Sequence, residues 1–252
     1  MASLRTVVAA LVLNAIAVPM STSTAAEITV WTTRAIATVL AEIGSEFERE
    51  TGHKLVITSD LPPAFARRAA EGQPFDLLIT GSAPLDEWIK EGRIVAGTRT
   101  NLARSGIGVE VRAGAPRPDI SSVEAFKRAL LGAKSIGYLR VGSGIYLHEL
   151  FDTLGIAESL KARITRPDTD IVSELVAKGE VEIGMTVITQ IVTTRGVDLV
   201  GPLPAEIQSY ITFTAGIGAK SMVPEAAREL IQFLRSPRAT AVMRAQGMEP
   251  MP

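Results

Sequence analysis

The chain has 252 residues, carries 26 Lys and Arg against 27 Asp and Glu, and contains no cysteine. This charge balance does not indicate a nucleic-acid-binding protein, which would carry a clear excess of positive charge. The absence of cysteine excludes disulfide bonds, thiolate metal sites and thiol nucleophiles.

The first residues have the features of a secretory signal. Arg5 precedes an uncharged apolar run at 7–18, and small residues follow as far as Ala26. The apolar run is shorter than the roughly 20 residues that a membrane-spanning helix needs. We therefore expect residues 1–26 to be removed on export to the periplasm, with a retained anchor helix as the alternative.

Short β-rich segments alternate with helical patterns along the rest of the chain. Strands are predicted at 28–33, 54–59, 75–80, 107–112, 135–139, 182–187, 197–203 and 210–215. The first helix carries apolar residues three and four positions apart from Ile36 to Phe47. Further helices are predicted at 63–71, 86–91, 143–154, 224–234 and 237–246, and two more end at Leu131 and Lys178. A capping box of Ser121 and Glu124 is expected to start the helix that ends at Leu131.

This alternation predicts an α/β fold of two lobes, with mixed and mostly parallel sheets. The chain passes between the lobes near 104–112 and returns near 205–211. We expect lobe 1 to comprise 27–108 with 211–252, and lobe 2 to comprise 109–210. A cleft between two such lobes closes on a ligand by hinge motion.

Strand-to-helix junctions carry the residues that we expect to bind a ligand. They begin at Thr32, Asp60, Arg140 and Asp168. Ligands of open α/β sheets sit at the carboxyl ends of strands, and the amides at helix starts favour negative charge. The sequence therefore predicts an anion site between the lobes.

Arg34 and Arg140 are the candidate cationic contacts, because a guanidinium binds carboxylate or phosphate oxygens through two bonds. A solvated surface position is the alternative for each. Ser143 and Gly144 are typical of an anion cradle and also of an ordinary helix start. Asp170 is expected to cap the next helix, which leaves the amide of Ile171 for the ligand.

Catalysis has little support in the sequence. The two histidines, His53 and His148, lack partners at metal-ligand spacing, and His53 is expected to be solvated. No pair of carboxylates is placed for general acid and base catalysis. We therefore expect no metal, no cofactor and no catalytic residue.

Several sequence blocks resemble those of the molybdate-binding type of periplasmic solute-binding protein, the receptor of an ABC importer. The blocks are ITVWTT from Ile28, FARRAAEGQPFDLLITG from Phe65 and SGIY from Ser143. The resemblance covers 27–249 and implies the type II periplasmic-binding-protein fold. It also implies a ligand held between the lobes and docking on the membrane subunits of an importer, and we expect a monomer.

The ligand positions that the resemblance implies depart from the molybdate pattern. Two serine positions hold Ala35 and Pro62, and a tyrosine position holds Val187, whereas the amides of Ser143 and Ile171 match. Each lost donor should cost about 1–3 kcal/mol. With Arg34 present, an organic carboxylate is the preferred ligand and a molybdate-like oxyanion the second choice. The predicted contact set is Thr33, Arg34, Ala35, Pro62, Arg140, Ser143, Gly144, Ile171 and Val187.

The sequence thus predicts an exported solute-binding protein that captures a small anion for an ABC importer. Two alternatives remain: a lyase or dehydratase on the same fold, and a protein that presents its ligand to a membrane receptor. An acid or base positioned in the cleft would favour the enzyme.

Overall fold

The computed structural model describes residues 25–168 and 171–251. The predicted signal at 1–26 therefore lies almost wholly outside the described residues, as does Asp170. The strands are β1 (Glu27–Thr32), β2 (Lys54–Ser59), β3 (Leu77–Gly81), β4 (Thr100–Arg112), β5 (Ile136–Gly137), β6 (Ile164–Thr165), β7 (Ile183–Val187), β8 (Val197–Pro202), β9 (Tyr210–Ile217) and β10 (Glu249–Pro250). The helices are α1 (Arg34–Thr51), α2 (Pro62–Ala70), α3 (Ser82–Lys90), α4 (Val123–Gly132), α5 (Ser143–Thr153), α6 (Ala157–Leu160), α7 (Val172–Lys178), α8 (Ile188–Thr193), α9 (Pro224–Leu234) and α10 (Pro237–Ala245). Within this part of the chain, no helix combines the length and apolarity that a bilayer crossing requires.

The strands form a mixed sheet in the order β2-β1-β3-β9-β4-β7-β5-β6, and β8 and β10 also pair with β4. The outer strands of each half run parallel, β2-β1-β3 in the first half and β6-β5-β7 in the second. This arrangement confirms the predicted α/β class. The sheet contains more antiparallel pairs than the sequence predicts. The reason is that β4 and β9 lie between the two parallel sets, and each runs antiparallel to the strands beside it.

A single strand, β4, belongs to both halves. Its residues from Thr100 to Gly106 pair with β9, and those from Ile107 to Glu110 pair with β7. The returning chain contacts β4 at the same place, because the amide of Ile107 donates to the Ser209 carbonyl and the Leu203 amide donates to the Ile107 carbonyl, each at 3.1 Å. The two passages between the halves therefore touch each other at Ile107.

Each half has its own hydrophobic core. The predicted apolar stripe of α1 packs against β1, β3, β9 and α9, whereas the second core contains Phe126, Tyr138 and Phe151 with residues of β4 and β7. Ala103 lies in the first core and Ile107 in the second. The predicted division into 27–108 with 211–252 and 109–210 stays a prediction, and it puts Ile107 in lobe 1, whereas this residue packs in the second core.

His53 is not solvated, so that expectation is wrong. Its side chain is fully buried, its Nδ1 accepts a hydrogen bond from the Ala26 amide at 3.1 Å, and its Nε2 lies 3.2 Å from the Glu229 carboxylate. The cause is Gly52, which has a left-handed backbone (φ 76°) and turns the chain back at the end of α1. His53 thereby joins the start of β1 to α9.

The short helix α8 is absent from the sequence prediction. Its residues, ITQIVT, are mostly β-branched and favour strands. A tertiary contact overrides this propensity: the Thr189 amide, in the first turn of α8, donates to Ser105 Oγ of β4 at 3.3 Å. The first turn of α8 is therefore positioned by β4.

The start of α4 also differs from the predicted capping box. Ser122, not Ser121, is the N-cap residue, and its Oγ accepts a hydrogen bond from the Ala125 amide at 3.2 Å. Glu124 then lies one position too early for the reciprocal bond of a capping box. The Ser121 amide instead donates to Asp119 Oδ1 at 3.0 Å.

This difference can be tested with a pair of substitutions. We expect Ser122→Ala to lower the free energy of unfolding by about 1 kcal/mol, because a helix amide loses its cap. Ser121→Ala, at an exposed neighbouring position, should change it by no more than about 0.5 kcal/mol. Urea denaturation of both variants is the measurement, and a larger effect for Ser121→Ala would contradict the assignment.

Candidate functional site

The first side of the candidate site lies at the carboxyl ends of β1 and β3. The Thr33 amide donates to the Ile79 carbonyl at 3.3 Å, which fixes the start of α1 against β3. Thr33 is the N-cap residue of α1, and its Oγ1 is buried without a hydrogen-bond partner among the described residues. Arg34 begins the helix, and Ala35 is buried in the first core.

The start of α2 lies beside this edge, because β1 and β2 are paired up to Thr32 and Ser59. Pro62 and Pro63 occupy its first two positions and have no N–H groups. The Leu61 amide is bonded to Asp60 Oδ1 at 2.9 Å. This helix start therefore offers few amides to an anion, and Pro62 can contribute only apolar contact there.

The opposite side of the site is the carboxyl edge of β5, β6 and β7. The loop after β5 is tight: Gly142 has a positive φ of 58°, and a Cβ on Gly144 would lie 1.7 Å from the Leu139 carbonyl oxygen. The Gly144 amide donates to the Val141 carbonyl at 3.1 Å. Gly144 therefore allows α5 to start against the preceding loop, and its amide is used within that turn. Ser143, the first residue of α5, is buried.

Ile171 and Val187 precede the other two helices of this edge. Ile171 is the N-cap residue of α7, and Val187 is both the last residue of β7 and the N-cap residue of α8. Val187 is paired with Ile107 of β4. Val187 thus lies at the end of a strand and Ile171 at the start of a helix, and their contact with a ligand stays a prediction.

An ion pair joins the two sides of the site. The two terminal nitrogens of Arg34, on α1, both lie 3.0 Å from Oε1 of Glu174, in the first turn of α7. The two side chains retain 42% and 41% of their exposure. An exposed pair of this kind contributes only about 0–1 kcal/mol to stability. Its importance is that a carboxylate is already held between the first half and the second.

Arg140 has a different environment. Its Nε donates to Asp168 Oδ1 at 2.8 Å, and its side chain remains more than half exposed. It lines a cavity of the second half together with Tyr138 and Arg166. Arg34 and Arg140 thus have separate carboxylate partners, one across the cleft and one within the second half.

Two acidic residues near the site are missing from the sequence prediction. Glu174 resembles any exposed helix position, and only the fold brings it to Arg34. Glu110 of β4 is fully buried, accepts a hydrogen bond from Ser173 Oγ of α7 at 2.9 Å, and lies against Gly184 of β7. The sequence did contain a sign that Glu110 is special: it is a charged residue between two valines, Val109 and Val111, in a predicted strand.

Two further threonines resemble Thr33 in having a buried hydroxyl without a hydrogen-bond partner. The Oγ1 atoms of Thr80, at the end of β3, and Thr189, in the first turn of α8, are buried and lack a hydrogen-bond partner in the described part of the chain. A buried hydroxyl without a partner is costly, by about 1–3 kcal/mol. All three lie at strand-to-helix junctions. In the same part of the chain, no three His, Cys, Asp or Glu residues are grouped to hold a metal ion.

The close approach at Gly144 yields a test of this geometry. We expect Gly144→Ala to lower the free energy of unfolding by about 1–3 kcal/mol and to displace the start of α5, because the added methyl overlaps the Leu139 carbonyl. Gly132→Ala is the matched control, since a Cβ there meets nothing within 4 Å. Thermal unfolding of both variants is the measurement, and an equal midpoint for Gly144→Ala and the parent would contradict the tight turn.

Comparison with known proteins places the fold in a family. Residues 28–249 match the bacterial extracellular solute-binding protein family. An aconitate isomerase of a Pseudomonas species is 32% identical over 231 residues, which cover 89% of this chain and 88% of that protein. The molybdate-binding protein ModA of Azotobacter vinelandii is 26% identical, over 88% of this chain and 90% of that protein.

The solved structures agree on the fold. The periplasmic molybdate-binding protein of Azotobacter vinelandii superimposes with a TM-score of 0.74 at 19% identity, covering 89% of this chain and 99% of that one. This similarity confirms the periplasmic-binding-protein fold that the sequence blocks implied. The chain therefore belongs to the bacterial extracellular solute-binding protein family and resembles its molybdate-binding type.

Proposed function

We propose that this protein captures a small organic carboxylate between its two halves and delivers it to the membrane subunits of an ABC importer. The protein is exported to the periplasm after removal of residues 1–26 and acts there as a monomer. The ligand contacts Thr33, Arg34, Ala35 and Pro62 on one side and Ser143, Gly144, Ile171 and Val187 on the other. Arg140 is left out of this set because its carboxylate partner, Asp168, lies within the second half, whereas the partner of Arg34 lies across the gap between the halves.

The ion pair between Arg34 and Glu174 carries the proposal. Both terminal nitrogens of Arg34 bind one carboxylate oxygen at 3.0 Å, across the gap between α1 and α7. A ligand carboxylate would make the same contact in place of Glu174, with little change in charge around Arg34. The site is therefore suited to exchange one carboxylate for another.

Apolar residues at three of the expected contact positions favour an organic ligand over a tetrahedral oxyanion. Ala35, Pro62 and Val187 replace side-chain donors of the molybdate pattern, so fewer hydrogen bonds remain for an oxyanion that needs them on every face. The unpartnered hydroxyls of Thr33 and Thr80 can serve the second oxygen of a carboxylate or a hydroxyl on its carbon chain. The relationship to an aconitate isomerase also supports a polycarboxylate.

The gap between the two halves would close by a rotation of one half relative to the other about β4. The two passages between the halves meet at Ile107, so a small rotation there opens or closes the edge where α1 and α7 begin. The weak, exposed ion pair between Arg34 and Glu174 opposes such a rotation only slightly. A ligand that binds both sides would then stabilise the closed form.

Substitution of Arg34 tests the ligand class. We expect Arg34→Gln to raise the Kd of the best carboxylate at least about tenfold, or ~1.4 kcal/mol, because a charge-assisted contact is lost. Citrate, both geometric isomers of aconitate and molybdate are titrated by calorimetry. Ligand binding also raises the midpoint of thermal unfolding, which gives an independent readout.

Arg228→Gln is the matched control for this experiment. Arg228 has a similar exposure, 45%, and an exposed ion pair with Glu225 on α9. Its removal should leave binding unchanged. Equal binding by Arg34→Gln and the parent protein, or tighter binding of molybdate than of every carboxylate, would overturn the proposal.

Isomerisation of aconitate is the second candidate function, because a relative at 32% identity carries that name. Such a reaction needs a base that takes a proton from the methylene carbon, and a proton returns to the former vinylic carbon as the double bond moves. Composition and oxidation state do not change. Glu174 would move the proton, while Arg34 holds a substrate carboxylate.

Replacing Glu174 separates capture from catalysis. We expect Glu174→Gln to retain or strengthen carboxylate binding, since the competing carboxylate is gone, and to lower any isomerase turnover by about 10²-fold or more. Conversion of one aconitate isomer to the other is followed by proton NMR in D2O, with Glu225→Gln as the control. No turnover by the parent protein leaves capture as the function, and full turnover by Glu174→Gln excludes Glu174 as the base.

A further inference from the structure

The side chain of Gln208 lies at the point where the two passages between the halves touch. Its Oε1 accepts a hydrogen bond from the Ile107 amide, and its Nε2 donates to the Ile107 carbonyl, each at 3.0 Å. The Ser209 amide donates to the same Oε1 at 2.9 Å, which fixes the orientation of the side-chain amide. Gln208 therefore bonds both backbone groups of Ile107, as the opposite residue of an antiparallel strand would.

This contact falls where β4 changes its partner strand. Gly106 is the last residue of β4 that pairs with β9, and Ile107 is the first that pairs with β7. A Cβ on Gly106 would lie 3.1 Å from Nε2 and 3.3 Å from Cδ of Gln208. The absence of a side chain at Gly106 thus allows the Gln208 amide to lie against β4.

The backbone of Ile107 does not depend on Gln208 for its hydrogen bonds. The Ile107 amide also donates to the Ser209 carbonyl, and the Ile107 carbonyl also accepts from the Leu203 amide, each at 3.1 Å. Both groups therefore keep a partner when the Gln208 amide is removed. What this amide adds is a restriction on orientation, because hydrogen bonds are directional and its two bonds form together only at one relative position of the passages.

A further hydrogen bond connects Gln208 to the candidate site. Tyr146, in α5 three residues after Ser143, donates its hydroxyl to the Ile207 carbonyl at 2.8 Å. Burial raises the pKa of Tyr146, so its hydroxyl keeps the proton that this bond needs. Ile207 directly precedes Gln208 in the returning passage. The helix whose start is expected to contact the ligand is therefore bonded to the residue next to Gln208.

We infer that Gln208 is a positioning residue for ligand capture, whose amide favours the arrangement in which α1 and α7 meet, and that Tyr146 connects it to α5. The two bonds of Gln208 occur here together with the ion pair of Arg34 and Glu174 between the halves. A rotation about Ile107 that separates α1 from α7 would turn the Ile107 backbone away from the Gln208 amide. Bonds that form in one arrangement only shift the equilibrium toward it. The inference rests on the proposed function, because it concerns how the same cleft is held closed around a ligand.

Spin labels can measure the arrangement of the halves without any ligand. The chain contains no cysteine, so Ala66→Cys on α2 and Glu149→Cys on α5, both at exposed positions, would carry the only labels. Pulsed electron paramagnetic resonance gives the distribution of distances between them. We expect Gln208→Met, which keeps the length of the side chain and removes its amide, to broaden this distribution and to extend it to longer distances. Gln232→Met, at an exposed position of α9, is the matched control and should leave the distribution unchanged.

Ligand affinity gives a second measurement. Gln208→Met and Tyr146→Phe should each raise the Kd of the best carboxylate about threefold or more, as expected for the loss of a hydrogen bond. Neither should appreciably change the midpoint of thermal unfolding of the ligand-free protein. The double variant should raise the Kd no more than the stronger single variant, because effects of residues in one network do not add. Gly106→Ala, which displaces the Gln208 amide without removing it, should also raise the Kd and replaces Gln208→Met if that variant does not fold.

An unchanged distance distribution in the folded Gln208→Met variant would overturn the role of Gln208, as would a lower unfolding midpoint with an unchanged Kd. Additive effects of the two substitutions on the Kd would overturn the connection through Tyr146. Failure of every carboxylate to bind the parent protein would contradict the proposed function, whereas the distance measurement needs no ligand and still decides the role of Gln208.

Discussion

The candidate site depends on the position of β4. This strand pairs with β9 in the first half and with β7 in the second, and two of its buried polar side chains are bonded to helices of the site. Ser105 accepts a hydrogen bond from the first turn of α8, and Glu110 accepts one from Ser173 in the first turn of α7. A shift of one residue in the pairing would turn both side chains to the opposite face. The strand that joins the halves therefore also positions the first turns of α7 and α8 at the candidate site.

For ligand exchange, the strength of the contact between Arg34 and Glu174 matters as much as its position between the two halves. A buried ion pair would be costly to separate, and a ligand would have to replace it at that cost. At about 40% exposure the pair contributes little to stability, so a carboxylate that makes further contacts could displace Glu174. In the proposed function, the unpartnered hydroxyls of Thr33 and Thr80 would provide such contacts in the first half.

Local sequence patterns predict most of the strands and helices. They do not predict which side chains contact each other across the fold. The apolar stripe of α1 and the bounds of α9, Pro224–Leu234, follow from periodicity and from a proline at the helix start. Gly144 was identified for close backbone approach, and the structure adds that its amide is occupied within the turn. Glu174 and Thr80 had no local signal, because their significance comes from residues distant in sequence. His53 was misjudged for the same reason: its partners are Ala26 and Glu229.

Capture and isomerisation make opposite demands on Glu174. A transport protein must release its ligand unchanged, so Glu174 should return to Arg34 as the halves separate and should stay away from the ligand's carbon atoms. An isomerase needs the same carboxylate within hydrogen-bond reach of a methylene carbon while Arg34 holds the substrate. Both could arise from one site, because α7 carries Glu174 in its first turn and the proposed closure about β4 would move that turn relative to Arg34. If the cleft closes as proposed, the degree of closure would decide whether Glu174 reaches a carbon atom of the ligand, and so which of the two functions this site performs.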